Sequence, residues 1–203
     1  MRNVGILGGT FNPVHIGHLM IAEKAREQFH LDEVLFLPNG IPYMKAQKDV
    51  LPGNIRNEMI RLAIEDNPFF TLSTIESEKE EIAYTYETLL KLRDKNPNTD
   101  YYFIMGADNL WAVESWKEPA QIFANCHVLA AVRGDKNVSD LETQASFLQE
   151  KYHADISVLQ TDHVDISSSM IRGLLKEGRA IRYLVPEAVY DYIIIHKLYC
   201  REK

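Results

Sequence analysis

Val4-Gly5-Ile6-Leu7-Gly8-Gly9-Thr10-Phe11-Asn12-Pro13-Val14-His15-Ile16-Gly17-His18-Leu19-Met20 reads as an apolar strand, a glycine-bearing turn and the opening of a helix in direct succession. That order is the first half of a βαβ unit. Outward from it the same rhythm repeats. Val34 to Leu37, Phe70 to Leu72, Tyr101 to Met105, Val128 to Val132 and Ile156 to Leu159 are further short runs rich in branched and aromatic residues. Most of them stop at Gly, Pro, Asn or a charge, as buried parallel strands do. Between them, Ala22, Ala25 and Phe29, then Met59, Leu62 and Ala63, then Tyr86, Leu89 and Leu90 recur at helical spacing, which predicts one stripe per helix for the sheet. The expected fold is α/β, a doubly wound, Rossmann-like, mostly parallel sheet of about six strands with helices on both faces.

Near the far end, Ser168 or Ser169 can cap a helix running through Met170, Ile171 and Leu174 toward Gly178, a stop signal, and Pro186 suits the first turn of a last helix. The Gly134 to Ser139 stretch reads as a surface loop. A length of 203 residues favours one domain over residues 1–203, with a small helical part at about 167–203.

Hydrophobic residues make up 46% and charged residues 25%, proportions that disfavour disorder and fibrous architectures. A net charge of -7 weighs against nucleic acid as a partner, because neutralising many phosphates needs a broad basic surface. An anionic ligand must therefore meet a local positive pocket. Cys126 and Cys200 match no metal or disulfide spacing and are expected to pack as small apolar residues in a reducing compartment. Asn12, Pro13, His15 and His18 interrupt the N-terminal apolar run, against a secretory leader. No stretch approaches the ~20 apolar residues of a membrane span, so the expectation is a cytoplasmic protein with no membrane partner. A homodimer is compatible with all of this.

The chemistry begins in the first turn. Gly8 and Gly9 allow close backbone approach to a ligand, and the helix that follows aims its dipole and first N–H groups at an anion. His15 and His18, three apart at the helix start, can face one point and donate to a phosphoryl oxygen, with Gly17 leaving room. A pair of satisfied structural histidines or a two-histidine metal site would also explain the spacing. Zinc needs further ligands, and no His-Glu-x-x-His pattern is present. Neither the Walker phosphate loop nor the dinucleotide Gly-x-Gly-x-x-Gly fingerprint occurs.

Gly-Gly-Thr-Phe-Asn-Pro-x-His-x-Gly-His over positions 8–18 resembles the signature of the HxGH nucleotidyltransferases. Ile166-Ser167-Ser168-Ser169-Met170-Ile171-Arg172 resembles that superfamily's second motif, in which serines at a helix start and an arginine hold ATP phosphates. Within the superfamily the chain resembles the bacterial nicotinate mononucleotide adenylyltransferases along nearly its whole length. Pro38-Asn39-Gly40-Ile41-Pro42-Tyr43-Met44-Lys45 is similar to their Pro-Asn-x-x-Pro-Pro-His-Lys loop, with Tyr43 and Met44 where the pattern has proline and histidine. Ala83-Tyr84-Thr85-Tyr86-Glu87-Thr88 is similar to their Ser-Tyr-Thr-x-x-Thr, with alanine for the serine.

The resemblance implies transfer of AMP from ATP to nicotinate mononucleotide, with Mg2+ accompanying ATP and no dedicated protein metal site. It implies catalytic roles for His15, His18, Lys45 and Arg172. ATP would meet Gly8, Gly9, Thr10, Phe11, His15, His18, Gly106, Asp108, Ile166, Ser167, Ser168 and Arg172, with Asp108 at the adenosine ribose. The acceptor would meet Thr10, Asn39, Lys45, Tyr84, Thr85, Trp116 and Arg133, with the Trp116 indole stacked on the pyridine ring. Trp111, which the pattern does not claim, reads as packing. Rival readings are a related transferase for nicotinamide mononucleotide or phosphopantetheine, and a noncatalytic nucleotide sensor.

Overall fold

The computed structural model describes residues 1–40, 50–79, 82–133, 138–161 and 165–200. Six strands, β1 (Arg2–Gly9), β2 (Glu33–Pro38), β3 (Phe70–Leu72), β4 (Thr99–Gly106), β5 (His127–Arg133) and β6 (Ile156–Thr161), form one sheet in the order β3-β2-β1-β4-β5-β6. Every pairing is parallel. Among the described residues the helices are α1 (Ile16–Gln28), α2 (Gly53–Ile64), α3 (Thr85–Lys95), α4 (Ala107–Ala112), α5 (Pro119–Asn125), α6 (Val138–Tyr152), α7 (Ser168–Lys176) and α8 (Glu187–Ile195), with a 3-10 turn at Val113–Ser115.

Side chains alternate along the strands, so every strand but β3 feeds two cores. Leu7, Val34, Phe36, Ile104, Leu129, Ala131 and Leu159 face one side, where Ala22 and Ala25 of α1, Met59 and Ile60 of α2, Ile171 of α7 and Val189 of α8 cover them. Val4, Ile6, Leu37, Phe103, Met105, Val128 and Ala130 face the other, under Leu89 of α3, Leu110 of α4, Ile122 of α5 and Leu148 of α6. This two-sided burial is why the strands read as unbroken apolar runs. Strand order reverses between β1 and β4, which opens a crevice at their carboxyl ends.

All six expected strands are present. The structure also corrects several local readings. Leu90 and Trp111 lie on solvent-facing sides of α3 and α4, with Trp111 half exposed, and Cys200 is exposed. Cys126 is buried as expected, and burial pushes its thiol up to about 12. Ser167, not Ser168 or Ser169, caps α7, its Oγ accepting from the Met170 N–H. Pro186 is the residue before α8 and not part of its first turn. Val138 and Ser139 already belong to α6, while 134–137 lie outside the described residues. Gly178 ends α7 with φ +71, a left-handed conformation that suits glycine as a helix stop.

Candidate active site

The turn after β1 carries the first motif across the mouth of the crevice. His15 precedes α1 with extended backbone, and its N–H donates to Nδ1 of His18 at 3.1 Å. An acceptor Nδ1 puts the ring proton of neutral His18 on Nε2, the nitrogen that faces away from that bond. The two imidazoles stack at 3.6 Å, and the Phe11 ring meets His18 edge-on at 4.9 Å. His15 is 1% exposed, whereas His18 is half-buried. The pair is therefore unequal: His18 presents the accessible donor, and His15 lies behind it. Gly17 leaves room beside this stack, since a Cβ there would come within 3.1 Å of the His15 ring. Contrary to the expectation for the first helical N–H groups, that of Ile16 donates to the Leu184 carbonyl.

The second motif meets the first. Ser168 Oγ donates to the Pro13 carbonyl at 2.8 Å, across 155 positions of sequence, and Arg172 Nη1 donates to the Asn12 carbonyl at 2.8 Å. Because the Ser168 proton is committed to Pro13, the hydroxyl can only accept here. The donors this helix start can offer an anion are the Ser168 and Ser169 N–H groups, which α7 itself cannot satisfy, and the remaining guanidinium hydrogens of Arg172. Asn12, which in sequence is one letter of the first motif, is a hub: its Oδ1 accepts from the Leu51 N–H and from the Tyr199 hydroxyl at 2.8 Å. Burial pushes the Tyr199 phenol up, against the opposing pull of Arg172 and Arg56.

Beside this turn lies a cavity of about 600 Å³, a size suited to a small-molecule ligand. Gly8, Gly9, Thr10, Asn39, Tyr84, Thr85 and Trp116 line it. Five of these are residues expected at the acceptor, brought from four separate segments to one cavity. Trp116 stands edge-on to Phe103, ring centres 6.4 Å apart. Phe11 is buried against Phe36 as well as His18, so only its backbone could face a nucleotide. Gly106 and Asp108 sit exposed where β4 passes into α4, and Ile166 is partly buried against the α7-side core. Arg133 ends β5, its side chain lying outside the described residues, as does all of Lys45 with Tyr43 and Met44.

The sequence reading missed Glu76, Asn109 and Lys117, which also line the cavity. Glu76 is buried, and Thr88 Oγ1 donates to its Oε1 at 2.6 Å. Burial raises its carboxyl above the ordinary value; the Thr88 hydroxyl, Lys79 and Lys91 oppose that shift. A raised folded value means the neutral acid is favoured in the folded state, so this group's contribution is present at low pH and lost as pH rises through the folded value. Glu76→Gln, which keeps an acceptor for Thr88 and cannot ionise, is expected to gain Tm relative to the parent as pH rises from acid to neutral. Thermal melts of the ligand-free proteins across that range check it, and a pH-independent difference would contradict it.

Among the described residues no group of three or more His, Cys, Asp or Glu gathers as metal ligands, and no helix is long and apolar enough to cross a membrane. The donors at α1 and α7 are imidazole, guanidinium and backbone N–H, a set that suits phosphate oxygens.

A doubly wound sheet with a paired-histidine turn and a serine-arginine helix start at its crevice defines a nucleotide-handling α/β protein. The cytidylyltransferase-like family profile matches residues 6–174. The chain belongs to that family, and within it stands with the nicotinate-nucleotide adenylyltransferases. A protein of Lachnoclostridium phytofermentans named "probable nicotinate-nucleotide adenylyltransferase" is 45% identical over 98% of this chain and 100% of its own. A protein of the same name in Geobacter metallireducens is 39% identical over 98% of this chain and 99% of its own. The fold is that of Plasmodium falciparum nicotinic acid mononucleotide adenylyltransferase complexed with NaAD, with TM-score 0.81 and 22% identity over 98% of each chain.

Proposed function

We propose that the protein transfers AMP from ATP to nicotinate mononucleotide, forming nicotinate adenine dinucleotide and releasing pyrophosphate. The observation that carries this reading is the meeting of the two motifs at the Asn12 and Pro13 carbonyls, directly beyond the turn whose Gly8, Gly9 and Thr10 line the cavity. In the step proposed, an oxygen of the acceptor's 5′-phosphate forms a bond to the α-phosphorus of ATP while the bond from that phosphorus to the α,β-bridging oxygen breaks, and pyrophosphate leaves with that electron pair. The nucleophile is already an anion, so no strong base is required. What the protein must supply is alignment of two mutually repelling anions and stabilisation of charge on the in-line transition state.

In this assignment His18 donates from Nε2 to a phosphoryl oxygen, His15 orients it, and Arg172 with the α7 N–H groups takes the triphosphate. Lys45 and Arg133 would add charge on the acceptor side. Mg2+ would come with ATP, held by phosphate oxygens and water, and would neutralise the charge on the leaving pyrophosphate. Tyr84 and Thr85, opening α3 on the cavity wall, would meet the pyridine carboxylate, Trp116 its ring, and Asp108 the adenosine ribose. Small, diffusible substrates of this kind suit a cytoplasmic enzyme.

The test is purified protein with Mg-ATP and a panel of acceptors, following pyrophosphate and dinucleotide together. A kcat/KM that favours nicotinate mononucleotide over its amide and over phosphopantetheine supports the assignment. A preference for the amide moves it to the related transferase, and binding of ATP without pyrophosphate release in the presence of every acceptor makes the protein a sensor.

A further inference from the structure

Arg56 lies on the apolar stripe of α2, in line with Met59, Ile60 and Ala63, and is 2% exposed. A charge in that position must exchange its hydration for fixed partners, and among the described residues these are backbone carbonyls. Nε donates to Leu51 at 2.9 Å and Nη1 to Thr10 at 2.9 Å. Nη2 donates to Asn39 at 2.8 Å and to Gly40 at 3.3 Å. Among the described residues no carboxylate pairs with it, and burial lowers the guanidinium from its ordinary value.

The choice of carbonyls matters. Thr10 belongs to the turn after β1, which runs on into Asn12, His15 and His18. Asn39 and Gly40 belong to the loop after β2, the neighbouring parallel strand. Thr10 and Asn39 both line the cavity. The two loops touch directly through the Asn39 N–H to the Gly9 carbonyl at 3.0 Å and through Asn39 Nδ2 to Thr10 Oγ1 at 3.5 Å, the latter a long bond. The planar guanidinium spans them with diverging N–H groups at a fixed angle, a geometry that a lysine ammonium cannot reproduce.

We propose that Arg56 is a positioning residue for adenylyl transfer, clamping the β1 turn that serves the adenylyl donor to the β2 loop that serves the acceptor so that the two phosphates meet in line. The proposal rests on the function assigned above. Its distinguishing consequence is coupling: each half-site survives loss of the clamp, but their relative placement does not. A ligand that spans both sites gains from having its second half delivered at high effective concentration, and that gain depends on geometry.

The experiment compares the full-length parent with Arg56→Lys and Arg56→Met. Calorimetric titrations with AMP, with nicotinate mononucleotide and with the dinucleotide are joined to steady-state kinetics and thermal melts. For Arg56→Lys, the dinucleotide affinity is expected to fall by roughly tenfold or more beyond the product of the two half-ligand losses. Its kcat should fall by about 10²-fold while KM for either substrate moves much less. Multiplicative losses, an unchanged kcat, or activity that merely tracks the folded fraction in both variants would reduce Arg56 to a structural residue and overturn the proposal. A parent protein that neither binds the dinucleotide nor releases pyrophosphate overturns the functional reading itself, and the parent arm alone reveals it.

Discussion

Replacing His18 by alanine is expected to lower kcat by about two to three orders of magnitude, the usual cost of one lost transition-state donor, with little change in the KM for ATP. The expectation follows from how the ring is held. His15 offers its backbone N–H to Nδ1, its imidazole stacks beneath, and the Phe11 edge closes a third side. Nε2 is thus an aimed donor whose orientation is set before substrate arrives, and preorganisation of that kind acts on the charge that develops at the phosphorus. Alanine removes the donor while leaving the helix start, the Ser168 bond to Pro13 and the cavity wall in place. Steady-state kinetics with Mg-ATP and saturating acceptor measure the effect, and a turnover close to the parent's would remove His18 from the mechanism.

The second large effect is expected at Arg172. Arg172→Ala should lower kcat/KM for ATP by about two orders of magnitude, since bonds between charged groups are worth about 1.5–3 kcal/mol each. One N–H holds the Asn12 carbonyl, and the rest of the fork is left for phosphate oxygens. The same change also loosens the turn, because Asn12 sits between Arg172, Leu51 and Tyr199. The two contributions separate in a comparison with Tyr199→Phe, which loosens the Asn12 hub without removing a cation. If Tyr199→Phe reproduces the whole loss of kcat/KM, Arg172 acts on the turn and not on the triphosphate. Arg172→Lys should restore part of the ATP affinity through charge, and less of kcat because the fork is gone.

Much of this architecture was legible in residue order. The strands announced themselves because burial on both faces demands apolar side chains at every position, as in Val34 to Leu37 and Val128 to Val132. The first motif could be read because its chemistry is local: a strand, a turn and two histidines one helical turn apart fall together whatever the rest of the chain does. Readings that failed were those that needed to know which side of a helix faces out. Leu90 fits an apolar stripe in sequence and Trp111 reads as packing, yet both stand toward solvent.

Arg56 and Glu76 went unseen for a related reason: a lone charge within a helix or turn ordinarily belongs to water. A signal did exist for Arg56, which falls three, four and seven positions before Met59, Ile60 and Ala63, at core spacing. Nothing in the local sequence indicates that the Thr10, Asn39 and Gly40 carbonyls would be waiting there, or that Tyr199 would reach Asn12 across 187 positions.

By itself, then, the amino-acid order determined the alternation of strands and helices, the two faces of the sheet and the two motifs that meet at its crevice, since each depends on spacing within a few residues. Tertiary structure alone decided that His18 and not His15 is accessible, that Ser168 spends its proton on Pro13, and that one guanidinium ties two loops. Those outcomes depend on which groups lose water together, and desolvation is set by neighbours distant in the chain.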